Sequence, residues 1–229
     1  MANDGGNLMF VFRLRNLICT RVFRLLFARR FAAFGRGTNV LLPDGIEGAQ
    51  NISLGDGVLV GARTLLAARP IVPGGRAALK IGSGTLLGRA NHIYATGSIE
   101  IGEKVLTANN VYIADNRHGY EDPDTPVMDQ PVIQLAPTRI GDGTWLGHGA
   151  CVVGAQVGRG CVIGAGAFVT TDIPDRCVVV GAPARIVKRF DPDSGTWRST
   201  HPDGTFRPNQ TDPAHTDTAQ TGPVETDPA

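Results

Sequence analysis

The chain has four cysteines, Cys19, Cys151, Cys161 and Cys177, with no Cys-x-x-Cys spacing, which argues against both a structural zinc site and a disulfide framework. A reducing, cytoplasmic setting is the expectation. No apolar run is long and continuous enough to span a bilayer, because six arginines interrupt the most hydrophobic segment, Leu8 to Phe34. That segment also lacks the compact apolar core and cleavage site of a secretory leader. The period-two alternation of sandwich strands is absent, and aliphatic residues almost vanish beyond Asp191.

What is present is a six-residue rhythm. Leu54, Val60, Leu66; Ile81, Leu87, Ile93; Ile101, Thr107, Ile113; Ile140, Leu146, Val152; and Val157, Ile163, Val169 form five triplets, and fourteen of these fifteen positions are Ile, Leu or Val. Nine are followed directly by Gly, which suggests corners that use positive φ. A small residue recurs four places on, as at Thr64, Thr85, Thr144 and Cys161. Neither a helical nor a simple strand period fits, so each hexad reads as a short strand and a tight corner. Three hexads make a triangular turn, and stacked turns bury the aliphatic columns while backbone bonds run between coils. The expected fold is mainly β, a parallel β-helix of five or more coils.

Successive triplets start 27, 20, 39 and 17 residues apart, and the surplus always follows a third hexad. Insertions therefore stack along one corner, and the longest, residues 114–139, is the natural place for chemistry on a rigid scaffold.

Charge is distributed unevenly around a net +1. Residues 1–36 carry seven Arg against Asp4, residues 37–190 balance to zero, and residues 191–229 carry seven acids against Arg198 and Arg207. No nucleic-acid partner is expected. Within the basic segment, apolar residues at 11, 14, 18, 22 and 25 predict an amphipathic helix. It either caps the open end of the β-helix or makes a peripheral membrane or oligomer contact. The organisation expected is a basic helix over 1–36, the β-helix over 37–190 and an acidic, Pro/Thr-rich disordered tail over 191–229.

The string Asp115-Asn116-Arg117-His118-Gly119-Tyr120-Glu121-Asp122-Pro123 and the later Ile140-Gly141-Asp142-Gly143-Thr144-Trp145-Leu146-Gly147 resemble the active-site loop and following coil of the hexapeptide-repeat sugar O-acyltransferases. These include maltose, galactoside, nodulation-factor and O-antigen acetyltransferases. The resemblance continues through Ile163 to Ala167 and ends at Val180-Gly181-Ala182-Pro183-Ala184-Arg185, covering residues 50–190. It implies a left-handed coil, a homotrimer, and acyl-CoA sites in the clefts between subunits.

It also implies roles. His118 is the general base for attack by a carbohydrate or glycolipid hydroxyl, and Asp115 or Glu121 orients it. Trp145 walls the acyl channel and the Gly147 amide approaches the thioester. Ala165 and Thr170 contact pantetheine, while Arg185 and Lys188 reach the nucleotide phosphates. Asn91, His92 and Glu121 are candidates for acceptor contacts. The acyl group is acetyl or a longer chain such as octanoyl. Acyl-CoA is a co-substrate, with no metal and no permanently bound cofactor. Two other readings stand beside this one. In one, His92, His118 and His148 serve a γ-carbonic-anhydrase-like zinc site. In the other, the solenoid is a non-catalytic glycan-binding module.

Overall fold

The computed structural model describes residues 4–71 and 74–208, with side chains from Phe10 onward. Short parallel strands wind into a left-handed β-helix whose three sheets form the faces of a triangular prism. The first face is built from strands such as Ile52–Leu54, Ala78–Ile81 and Ser98–Ile101. The second holds Leu59–Val60, Leu86–Leu87 and Trp145–Leu146, and the third His92–Ala95, Tyr112–Ala114 and Cys151–Val153.

Stacking is in register. Leu54 sits opposite Ile81, Ile81 opposite Ile101 and Ile101 opposite Ile140, so one aliphatic column runs along the axis behind the first face. Thr107 is the polar exception in the columns. Its buried hydroxyl accepts hydrogen bonds from the Asn91 side-chain amide and, at 3.0 Å, from the Gly88 N–H. A core hydroxyl is tolerated there because it has partners.

The corner glycines correct the sequence reading. The Gly directly after a column residue is required for space: a Cβ on Gly82 would lie 2.5 Å from the carbonyl carbon of Gly102 on the next coil. Positive φ falls two residues later, at Gly84 (φ 69°) and equally at Lys104 (φ 51°). The small residue that follows is often Thr, and it bridges coils. Thr85 Oγ1 donates to Gly102 O at 2.8 Å and accepts from Val105 N at 3.1 Å.

The coil begins earlier than the triplets indicate. Phe34, Val40 and Ile46 make a further turn, paired with Leu54, Val60 and Leu66. An aromatic residue in the first slot hides the rhythm. The N-terminal helix accordingly stops sooner than residue 36. It spans Asp4–Phe27, here α1, and is followed by a 3-10 turn, Ala28–Arg30, and the strand Ala33–Phe34.

The expected disorder from residue 191 is also corrected. Arg185–Asp191 turns back antiparallel on Cys177–Val180, and Thr196–Ser199 pairs with it in turn. An existing sheet edge supplies the template that a polar sequence lacks by itself. Asp191, 5% exposed, receives Arg198 Nη1 at 2.9 Å and Ser194 Oγ at 2.9 Å, while Phe190 and Trp197 pack with ring centroids 5.7 Å apart. The remainder of the expected tail, residues 209–229, lies outside the described residues.

Replacing Thr107 with Val should lower stability by about 1–3 kcal/mol by stranding the Asn91 amide, whereas Ser should recover most of it. Urea unfolding midpoints at fixed protein concentration will read this.

Candidate active site

The longest insertion is a hairpin. Asn116–His118 pairs antiparallel with Val132–Gln134, so that His118 faces Val132 and Asn116 faces Gln134. Its root is fastened to the coil below: Gln134 Nε2 donates to Asp115 O at 2.8 Å, and Asn116 Nδ2 to Tyr94 O at 3.2 Å. The His118 side chain is exposed and makes no hydrogen bond among the described residues, although its carbonyl accepts Arg117 Nη1 at 3.0 Å. Paired residues of a hairpin project from the same side. The imidazole therefore shares a side with Val132 and Gln134, which help line a cavity of 480 Å³ together with Arg76, Ser98 and Pro137.

Asp115 does not orient the imidazole. It is fully buried and closes the corner of the preceding coil instead. One carboxylate oxygen accepts the N–H of Thr96 at 2.7 Å and lies 2.9 Å from the Thr96 hydroxyl; the other accepts Gly97 N at 2.7 Å and Ser98 N at 2.6 Å. Burial pushes its pKa up, but the donors from Thr96, Gly97 and Asn116 outweigh that and hold it below the usual carboxylate range. Thr96 and Gln134 were missed by sequence reasoning, because nothing in their own neighbourhood distinguishes them; only the fold sets them beside Asp115.

Glu121 is likewise committed elsewhere. It pairs with Arg117, whose guanidinium stacks 4.7 Å from the Tyr120 ring, and it accepts Tyr120 N at 2.9 Å. The Arg117 hydrogen bond, helped by the Tyr120 amide, pulls its pKa down to about 2. It shapes the loop tip rather than the imidazole.

Asn91 is removed from the acceptor candidates as well. It is 1% exposed, with its amide on Thr107 and Gly88 and its carbonyl oxygen accepting Val111 N at 2.8 Å. His92, next to it, is exposed on the third face and packs 5.3 Å from the Tyr112 ring. Partial burial pushes the His92 pKa below its ordinary value, with Glu47 opposing.

Trp145 projects from the second face, 47% exposed, between Leu106 and Val162. The Gly147 amide is not free to meet a thioester, since it donates to Ile163 O at 2.7 Å as part of the inter-coil ladder. Ala165 and Thr170 are exposed at successive corners. Arg185 and Lys188 are exposed on the returning strand, with Arg185 Nη1 on Ala184 O at 2.8 Å. His148 sits at the corner between the second and third faces, its Nε2 3.5 Å from Asn110 Nδ2. Among the described residues, no three His, Cys, Asp or Glu side chains gather into a metal-binding group.

The candidates thus fall on different sides of one prism. His118 rises from the corner between the third and first faces, and Trp145 stands on the second face, which lies opposite that corner. One copy does not bring them together.

The coil and its repeat define the class: a hexapeptide-repeat protein of left-handed β-helix form, similar over part of its length to proteins that carry acetyltransferase names. Residues 137–171 match the family described as the hexapeptide repeat of succinyl-transferase. A Mycobacterium tuberculosis protein named as an acetyltransferase, Rv3034c, is 45% identical over 111 residues, covering 48% of this chain and 37% of its own length. WbbJ of Escherichia coli K12, named as a lipopolysaccharide-biosynthesis O-acetyl transferase, is 34% identical over 113 residues, covering 46% of this chain and 58% of its own. The chain therefore spans 37% and 58% of the length of these two curated relatives. Among solved structures, AntD, an N-acyltransferase from Bacillus cereus in complex with dTDP and coenzyme A, shares the fold. Its TM-score is 0.62 at 17% identity, covering 72% of this chain and 88% of that one.

Asp115 has a depressed folded pKa, so its stabilisation is complete above the unfolded carboxylate value, about pH 4, and is lost as pH falls through the folded value. Asp115→Asn should cost about 1–3 kcal/mol at neutral pH, with the gap to wild type narrowing on acidification below about pH 4. Unfolding midpoints across that range will test it.

Proposed function

We propose that the protein transfers an acyl group, acetyl or a longer chain, from acyl-CoA to a hydroxyl of a sugar or glycoside, with His118 as general base. The observation that carries this reading is an exposed imidazole, His118, on a firmly rooted hairpin whose opposite strand, through Val132 and Gln134, helps line a 480 Å³ cavity, on a coil whose relatives are named as acetyltransferases. The neutral imidazole accepts the hydroxyl proton as the oxygen attacks the thioester carbonyl. The tetrahedral intermediate then releases the CoA thiolate, which takes the proton back from the imidazolium. Ser98 and Arg76 offer polar partners to an acceptor in the cavity, and Val132 and Pro137 offer it apolar walls. The hydroxyl acceptor is supported by the likeness to WbbJ.

The site belongs to an assembly in this reading. The outward ladder of the first face is polar, with Lys80, Glu100, Arg139 and Gln156, whereas the second face exposes Leu86, Leu106 and Trp145 at 43, 47 and 47%. Such an apolar stripe calls for cover. A homotrimer covers it and sets the hairpin of one copy over the Trp145 face of the next. Trp145 then walls the channel for the acyl chain, Ala165 and Thr170 line the pantetheine arm, and the exposed Arg185 and Lys188 meet the phosphates.

His118→Ala should reduce turnover by about 10²–10⁴-fold while leaving the unfolding midpoint and oligomeric size unchanged, as read by thiol release over a panel of acyl-CoAs and glycans. Full turnover by the folded variant would remove His118 as the base, and absence of turnover by the wild type over the whole panel would leave a glycan-binding module. Mixing and reassembling His118→Ala with Trp145→Ala subunits should restore about a quarter of the sites, because each intact site draws one residue from each neighbour. Mixtures as inactive as either parent would place both residues in one copy.

A further inference from the structure

The apolar stripe of α1 does not face the protein. The helix docks on the first coil through another side, where Thr20 is buried, Asn16, Phe23 and Phe27 are half-buried, and the Phe23 ring lies 6.3 Å from that of Phe31. Val11, Leu14, Ile18, Val22 and Leu25 follow the spacing of one helix face and are 58, 45, 53, 47 and 83% exposed. They form a bare apolar line about 20 Å long.

Charge indicates what covers it. At 100° per residue, Arg15 and Arg21 border the stripe on its two sides. Arg24, Arg29 and Arg30 continue the basic character toward the C-terminal end, and Asp4 is the sole acid among the first 36 residues. Two such helices packed stripe to stripe would bring their bordering arginines together, which is unfavourable. An anionic bilayer offers hydrocarbon to the stripe and phosphate to the arginines. The Arg15 guanidinium rests 5.1 Å from the Phe12 ring centroid, and a long arginine stem can cover apolar surface while its charged head stays in the polar layer. Among the described residues no helix is long and apolar enough to cross a membrane, so α1 would lie in the interface plane.

We propose that α1 docks this protein on an anionic lipid surface, with Val11, Leu14, Ile18, Val22 and Leu25 entering the acyl-chain boundary and Arg15 and Arg21 meeting headgroup phosphates. The assignment is independent of the acyltransferase reading. It requires only the bare stripe, its basic borders and a coil that holds the helix by its opposite side.

The test is co-sedimentation of the full chain with phosphatidylcholine vesicles and with mixed phosphatidylcholine–phosphatidylglycerol vesicles at equal total lipid. Binding should favour the anionic vesicles and fall as salt is raised. The double variant Ile18→Glu, Leu25→Glu should bind them about tenfold less or weaker still, with oligomeric size and unfolding midpoint unchanged. Arg15→Gln with Arg21→Gln should reduce the preference for anionic lipid and flatten the salt dependence. Failure of wild type to bind, or full binding by the double Glu variant, overturns the proposal. So does a change in oligomeric size in that variant, since it would mean that a second copy covers the stripe.

Discussion

Successive coils approach so closely at the corner after the first face that a Cβ on Gly141 would lie 2.4 Å from the backbone nitrogen of Arg159. Most of the structure follows from that proximity. It allows backbone N–H and C=O groups to pair from coil to coil without a covering layer, as between Gly82 N and Ile101 O at 2.8 Å. It also forces the aliphatic side chains of each coil directly onto those of the next. A hexad that lost its corner glycine would separate the coils and break the ladder and the column together.

Because all three faces are occupied by strands, irregular chain can leave the coil only at corners, and here it leaves at the corner between the third and first faces. The hairpin that carries His118 is one such departure. Asp115 makes it possible: its buried carboxylate satisfies three backbone N–H groups of the Thr96–Ser98 corner that the departing chain would otherwise leave without partners. A residue that reads as catalytic machinery is thus the support on which the hairpin stands, and its depressed pKa reflects the number of donors around it. A perturbed carboxylate next to a histidine is a weak guide to function when structural hydrogen bonds account for the perturbation.

The faces differ in what they show to the outside. The first is charged, the second apolar, and the third carries a mixed column of His92, Tyr112, Cys151 and Phe168. Residues that the family resemblance assigns to one site lie at a corner and on the face opposite it. That separation is the natural consequence of a narrow prism, whose interior is filled by its own side chains and leaves no room for a substrate. Any site for two substrates on such a scaffold has to be built from its exterior, against loops or against another copy.

The hexad spacing, the Gly and Thr at fixed offsets and the position of the long insertion were legible in the sequence because each reflects a local, repeated demand of the coil. The additional coil at Phe34, Val40 and Ile46 escaped because an aromatic residue opens it, and the returning strand Arg185–Asp191 escaped because its pairing depends on an edge formed by distant residues. The sequence by itself determined the triangular coil, its aliphatic columns and the histidine-bearing loop, since periodic patterning needs no knowledge of remote partners. Tertiary structure alone decided that Asp115, Asn91 and the Gly147 amide are bound internally, and that the stripe on α1 turns outward. Those outcomes depend on which groups from separate coils meet in space, and hydrogen-bond partners many residues apart leave no local trace.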